Sequence, residues 1–223
     1  MTPRNATETE PAGPPRRVLW LSTAAFTLLF AVWLMLGVLG IQIREELELT
    51  PAQFEWLLAV AILAGSLPRL HFGIWADRYG GGVVMTLILL FTALPTFWVS
   101  RVTDYWELLA CAALFGLAGN SFTVGIAWNS AWFPHRSKGT ALGVFGAGNV
   151  GASATKFLAP AILAATPAAG YFGGVLPGGW RLVPVVYAVL LVLMAAAVWF
   201  LSPWPDRRPG DGRPLSGVLA PLR

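Results

Sequence analysis

Long apolar runs recur along the chain, each broken by a few polar or helix-disrupting residues. Their lengths predict helices over roughly 18–41, 54–76, 82–100, 106–132, 139–164 and 182–202, close to the about 20 residues needed to cross the hydrocarbon core of a bilayer. The breaks are short. One is acidic and ends in Pro51 (Arg44, Glu45, Glu46, Glu48), one reads Asp77-Arg78-Tyr79-Gly80-Gly81-Gly82, and one reads Pro134-His135-Arg136-Ser137-Lys138. Each has room for a turn and little more. The pattern therefore divides the chain into a polar, proline-containing tail at 1–17, a six-helix bundle at 18–202, and a Pro/Gly/Arg-rich segment at 203–223 that reads as a cytoplasmic tail or a truncated central linker. Both ends are expected to be disordered. The first apolar run exceeds 20 residues and carries no small-residue cleavage site, so it reads as a retained span and not as a signal peptide. No fixed-period repeat of the solenoid kind is present.

Composition agrees. Of 223 residues, 56% are hydrophobic and 12% charged, where soluble domains carry about 25% charge. Mean hydropathy is +0.64. The fold class expected is all-α and integral to the membrane, and no separate soluble domain fits between the spans.

The net charge of +4 forms no continuous basic patch of the kind that binds nucleic acid. It is a topology signal instead. Arg4, Arg16, Arg17, Arg78, Arg136, Lys138, Arg207, Arg208, Arg213 and Arg223 fall on one side of six alternating spans, and Arg44, Arg101 and Arg181 on the other. That imbalance places both termini in the cytoplasm of a multi-pass protein of the inner cell membrane. Trp20, Trp56, Tyr105, Trp106, Trp132 and Trp204 lie near span ends, as an interfacial belt requires. Cys111 is the single cysteine, which excludes an internal disulfide and any Cys-based metal site. The interior holds no paired carboxylates, no Ser/His/Asp set and no metal cluster, so neither an enzyme nor a cofactor is expected.

A few polar residues lie inside the apolar runs, where a charge costs about 2.5–3.5 kcal/mol on insertion scales. Arg69 is eight residues before Asp77, about 12 Å into the second span at 1.5 Å per residue. From that depth its planar fork of donors suits an oxyanion in an internal cavity; the alternative is a structural arginine serving carbonyls freed by Pro68. Lys156 lies about 27 Å from Lys138 along the fifth span and is within reach of the opposite interface by snorkelling. His71 is a candidate proton relay or a satisfied neutral imidazole. The fifth span repeats small residues at Gly139, Gly143, Ala147 and Gly151, with Gly146 and Gly148 beside them, which lets a neighbouring backbone or a ligand come close. Asn149 stands within that run, about 17 Å from Lys138, where its amide either donates to an anion or bonds a neighbouring helix.

Two stretches carry a family resemblance. Gly73-Ile74-Trp75-Ala76-Asp77-Arg78-Tyr79-Gly80 resembles the loop signature between the second and third helices of the major facilitator superfamily, with Gly73, Asp77, Arg78 and Gly80 as its motif residues. Where that family usually continues with a basic pair, Gly81 and Gly82 stand here, a departure that bears on how the loop latches to its neighbours. The run from Gly143 to Phe157 resembles the fifth-helix signature of the nitrate/nitrite porters. Gly65-Ser66-Leu67-Pro68-Arg69, Gly119-Asn120-Ser121-Phe122 and Ala127-Trp128-Asn129-Ser130-Ala131-Trp132-Phe133-Pro134 agree with it.

The resemblance implies that Arg69 binds the anion, that Asn149 assists with Gly146, Gly148 and Gly151 beside it, and that an aromatic on the fourth helix stacks on the flat ion. Phe122 is the best match for that aromatic, with core packing as its other reading. The resemblance covers about Leu19 to Pro205 and corresponds to the amino-terminal six-helix half of a twelve-helix family, whose second arginine comes from the eighth helix. It implies nitrate and nitrite as ligands, and a carboxy-terminal half-transporter chain or a second copy of this chain as partner. Exchange of nitrate for nitrite and proton symport are both open as modes of transport. A membrane protein that regulates or assembles with a complete transporter, without transporting, is the reading from another class.

Overall fold

The computed structural model describes residues 13–167, 170–171 and 176–208. The expected disorder of the two tails falls largely outside the described residues, at 1–12 and 209–223. The remainder departs from the expectation: Pro14–Arg17 already belong to the first helix, and residues 203–208 fold back onto the bundle.

Six helical spans are present among the described residues. The first covers Pro14–Glu46, the second Pro51–Tyr79, the third Gly81–Val99, the fourth Tyr105–Trp132 and the sixth Gly179–Leu201. The fifth runs through His135–Gly146, Ala147–Val150 and Gly151–Ala165 in succession. Five of the six are long and apolar enough to cross a membrane on length and composition alone. The fifth is the exception, because glycines, Asn149 and Lys156 dilute its apolar content. Apart from an isolated antiparallel bridge between Tyr171 and Leu176, no extended pairing occurs among the described residues.

Span boundaries follow local chemistry. Thr50 and Gln53 form a reciprocal capping box at the start of the second span, with Pro51 in its first turn, so two otherwise orphaned N–H groups find acceptors. Asp104 accepts from the Trp106 and Glu107 amides to open the fourth. Gly80, at φ +94°, closes the second in a conformation that only glycine adopts without strain.

The first span is the centre of the bundle. Its buried residues Ala25, Phe26, Leu29, Val32, Leu36, Leu39 and Ile43 recur at helical spacing, and it packs against the fourth, fifth and sixth spans. The second span rests chiefly on the fourth, in the most extensive span pairing of the bundle, and the third packs along the sixth. Polar contacts pin these apolar surfaces. Asn129 Nδ2 donates to Ser22 Oγ at 2.8 Å, Trp33 Nε1 donates to the Ala61 carbonyl at 2.8 Å, and the Thr155 and Tyr187 hydroxyls meet at 2.7 Å. Interhelical bonds of this kind contribute roughly 0.6–2 kcal/mol each in a membrane. At one end of the bundle Glu46 accepts from Arg181 Nε at 2.9 Å and from the Trp180 indole, while Arg181 also donates to the Ser100 carbonyl at 3.1 Å.

Candidate functional site

Four spans lose regular α-geometry partway along their length, and two do not. The first is interrupted at Leu34, the second at Leu67–Pro68, the fourth by a 3₁₀ turn at Leu117–Asn120, and the fifth by a 3₁₀ turn at Ala147–Val150. The third span stays one helix despite Pro95, and so does the sixth beyond its 3₁₀ opening turn. Irregular backbone at membrane depth persists only where protein or a water-lined cavity satisfies it, so breaks of this kind mark where the bundle interior or a cavity meets the chain. The candidate residues lie beside them.

At the second span, Pro68 has no N–H to give the Ala64 carbonyl. Asn120, on the fourth-span 3₁₀ turn, supplies the missing donor through Nδ2 at 3.3 Å. The structural alternative for Arg69 is thereby only partly met. Its Nη2 donates to the Gly65 carbonyl at 3.4 Å, a long bond, and its Nε is buried with no acceptor among the described residues. Gly65, Arg69 and Gly73 follow one another every four residues, hence on one helix face. A Cβ at Gly65 would strike Gly116 and Trp33, and one at Gly73 would touch Thr123, which places Arg69 level with residues 119–123 of the fourth span. Phe122 sits in that stretch. Its ring lies 5.5 Å from Phe26 and 5.9 Å from Phe145, and it is half-buried, so one part of its surface belongs to the core.

Asn149 is exposed. Its amide donates to its own helix, to the Gly146 carbonyl at 2.9 Å, and to no neighbouring span among the described residues. The fifth-span glycines divide into two sets. Gly148 and Gly151 face the first span, where a Cβ would meet Phe26 or the Thr27 carbonyl; around Gly146, Gly143 and Gly139 there is open space. Gly148 and Gly151 are thus packing glycines, and Gly146 stands on the open face with Asn149. Lys156 and His71 are both exposed.

Exposure around these breaks has two components. Only 17% of the most apolar stretch of the second span is buried, against 61% for the third, and lipid or another protein surface could cover its apolar side chains equally well. The guanidinium of Arg69 and the amide of Asn149 are different, because groups of that polarity at mid-depth face a bundle interior or a water-filled cavity.

At the Gly80 end the loop motif is tied down by a residue that the sequence did not single out. Asp206, in the segment after the sixth span, is buried. Its Oδ2 accepts from the Gly82 amide at 2.9 Å, and its Oδ1 accepts from Trp132 Nε1 at 2.8 Å and Trp128 Nε1 at 3.1 Å. A Cβ at Gly80 would run into this carboxylate, and one at Gly81 into Trp128. Gly81 and Gly82, at the positions of the expected basic pair, therefore make space for the Trp128 indole and, at Gly82, for an acid at the N-terminus of the third span. Trp132 is consequently buried with an acceptor and is not a member of an exposed interfacial belt, unlike Trp20, Trp56, Trp106 and Trp204. Of the motif residues, Gly73 packs on Thr123, Asp77 is half-buried, and Arg78 is exposed with its guanidinium carbon 5.6 Å from the Tyr79 ring centre.

Comparison with known proteins is consistent with this geometry. The pattern of the Major Facilitator Superfamily matches residues 21–222. The chain is 63% identical over 207 residues to a probable nitrate/nitrite antiporter, NarK1, of Thermus thermophilus, covering 93% of this chain and 47% of that protein. It is 31% identical over 185 residues to the nitrate/nitrite transporter NrtP of Nostoc punctiforme, covering 82% and 35%. To the nitrite extrusion protein of Bacillus subtilis it is 27% identical over 182 residues, covering 81% and 43%. Among solved structures, a bacterial homologue of the human lysosomal transporter Spinster, inward-facing and occupied, superposes with a TM-score of 0.75 at 20% identity, covering 93% of this chain and 48% of that one. The chain spans about half the length or less of the curated relatives it matches. With its six spans and its match over nearly the whole sequence, this multi-pass membrane chain belongs to the Major Facilitator Superfamily.

Proposed function

We propose that the chain is the amino-terminal half of a nitrate/nitrite transporter, with both termini in the cytoplasm, working by alternating access with a second six-helix half. The observation that carries this reading is Arg69: a guanidinium directly after the second-span break, its Nε buried without an acceptor among the described residues and its bond to Gly65 long. An oxyanion with two coplanar oxygens would complete that fork. In superfamily members the ligand lies near the midplane between two halves related by an axis along the membrane normal. Arg69 together with the open face of Gly146 and Asn149 would supply one wall of such a cavity, and a basic residue on the partner the other.

The chemistry follows from charge. A dehydrated anion is held by Arg69 and the partner's cation, with Asn149 donating through its second amide hydrogen and Phe122 presenting its flat surface. Two fixed positive charges in an empty cavity oppose closure, and one bound anion relieves that repulsion. The halves then close and reorient when loaded, so nitrate and nitrite exchange. No carboxylate stands at mid-depth among the described residues to carry a proton in place of the returning anion.

The test is nitrate uptake in cells without their own transporters, comparing this chain alone with this chain co-expressed beside a matching carboxy-terminal half. Uptake above background only with the partner is expected. Absence of uptake when both chains reach the membrane in normal amounts would overturn the reading in favour of a regulatory protein. Uptake by the chain alone would replace the two-chain assembly with a symmetric pair of identical halves.

A further inference from the structure

A groove of about 810 Å³ runs between the second and third spans. Its walls are apolar and largely aromatic: Phe72, Trp75 and Tyr79 on one side, Leu87 and Phe91 on the other, with Arg208 at its mouth. None of its lining residues belongs to the first span or to the fifth, which carries Gly146 and Asn149. One of its walls is the third span, which pairs with the sixth, and neither of those spans has a break at the level of the site.

We propose that this groove binds one phospholipid with an anionic headgroup. Two features point to that occupant. From Tyr79 near the mouth to Pro68 at the deep end is about 16 Å of helix at 1.5 Å per residue, which matches half of a hydrocarbon core about 30 Å thick. The groove thus has the depth of one leaflet and ends where an acyl chain ends. The second feature is charge. Arg208 lines the mouth, and Arg78 lies over the Tyr79 ring beside it; neither forms an ion pair among the described residues. A phosphodiester at the interface is held by such a fork through two parallel hydrogen bonds, and basic residues at the membrane surface select anionic lipid. The aromatic walls take the chain, and the two arginines take the headgroup.

Native mass spectrometry of the purified full chain tests this. The detergent-solubilised protein is titrated with phosphatidylglycerol and, in parallel, with phosphatidylcholine of the same acyl composition. One tightly held phosphatidylglycerol per chain is expected, retained at least five-fold better than phosphatidylcholine. Arg208→Ala combined with Arg78→Ala should remove that preference and leave phosphatidylcholine binding unchanged. Arg136→Ala, an exposed cation in a different loop, should not alter it. Equal retention of the two lipids by the unmodified chain, or an equal effect of Arg136→Ala, would overturn the proposal by making the attraction diffuse. A photo-crosslinking residue in place of Leu87 gives an independent readout in membranes: a lipid adduct is expected, and an adduct to a second polypeptide would overturn the assignment.

Discussion

Asp206 accepts a hydrogen bond from the Trp132 indole at 2.8 Å, across 74 residues of chain. The same carboxylate takes the Trp128 indole and the Gly82 and Arg207 amides, and Arg207 stacks over Trp132 with its guanidinium carbon 4.6 Å from the ring centre. The start of the third span, the end of the fourth and the exit of the sixth therefore converge on one side chain. An anion at a helix N-terminus is favoured by the unpaired amides there, and buried indole N–H groups need an acceptor.

Replacing Asp206 with Asn keeps the shape, removes the charge and turns an NH₂ group toward a set of donors. Loss of charge-assisted bonds of this kind costs about 2 kcal/mol, or roughly 4–8 °C in Tm for a chain of this size. Thermal unfolding of the purified protein measures it. An unchanged Tm would mean that water replaces the carboxylate without loss.

Gly80→Ala is expected to destabilise by about 1–3 kcal/mol, because its φ of +94° belongs to a region that residues with a Cβ avoid and because that Cβ would displace Asp206. The effect should shrink in an Asp206→Asn background, since the second fault has then already occurred. Thermal unfolding of the single and double variants measures that coupling.

The fifth-span glycines separate two kinds of sensitivity. Gly151→Ala drives a methyl into the Thr27 backbone and should lower Tm by several degrees, as overpacking by one carbon costs about 1–3 kcal/mol. Gly146→Ala meets nothing within 4 Å among the described residues and should leave Tm unchanged while reducing uptake by the co-expressed pair. A fall in Tm for both would place Gly146 in packing as well.

Arg69→Lys should leave Tm within a degree or two and cut nitrate uptake by the co-expressed pair at least ten-fold, about 1.4 kcal/mol, because a point charge cannot reproduce the bidentate fork. Uptake assays over a range of nitrate concentrations show whether the loss lies in affinity. Near-normal uptake would remove Arg69 from the site.

The architecture was legible because lipid imposes a coarse rule: about 20 apolar residues, then something that cannot stay in hydrocarbon. The third span, expected at 82–100, occupies Gly81–Val99. The first was expected to stop at 41 and continues to Glu46, since backbone hydrogen bonding does not end where hydropathy falls and Glu46 is held at the interface by Arg181. The break at Leu34 has neither proline nor glycine to announce it. The 3₁₀ turns fall in glycine-containing stretches that the sequence marks as small, without saying whether a small residue packs or opens. Asp206 was hidden because it lies in an aperiodic tail. The signals that point to it are dispersed: an acid just after the sixth span in an Arg/Pro-rich segment, two tryptophans four residues apart, and three consecutive glycines.

The sixth span is clamped at both extremities, by Arg181 and Trp180 on Glu46 at its entrance and by Asp206 on the third and fourth spans at its exit. A beam anchored at each end resists both sliding and hinging. The third and sixth spans together then act as a stiff spine, and bending compliance is left to the four interrupted helices that border the open face. In the proposed transporter, reorientation of this half would then proceed as a tilt of the whole spine, with local flexing confined to the wall that touches the cargo.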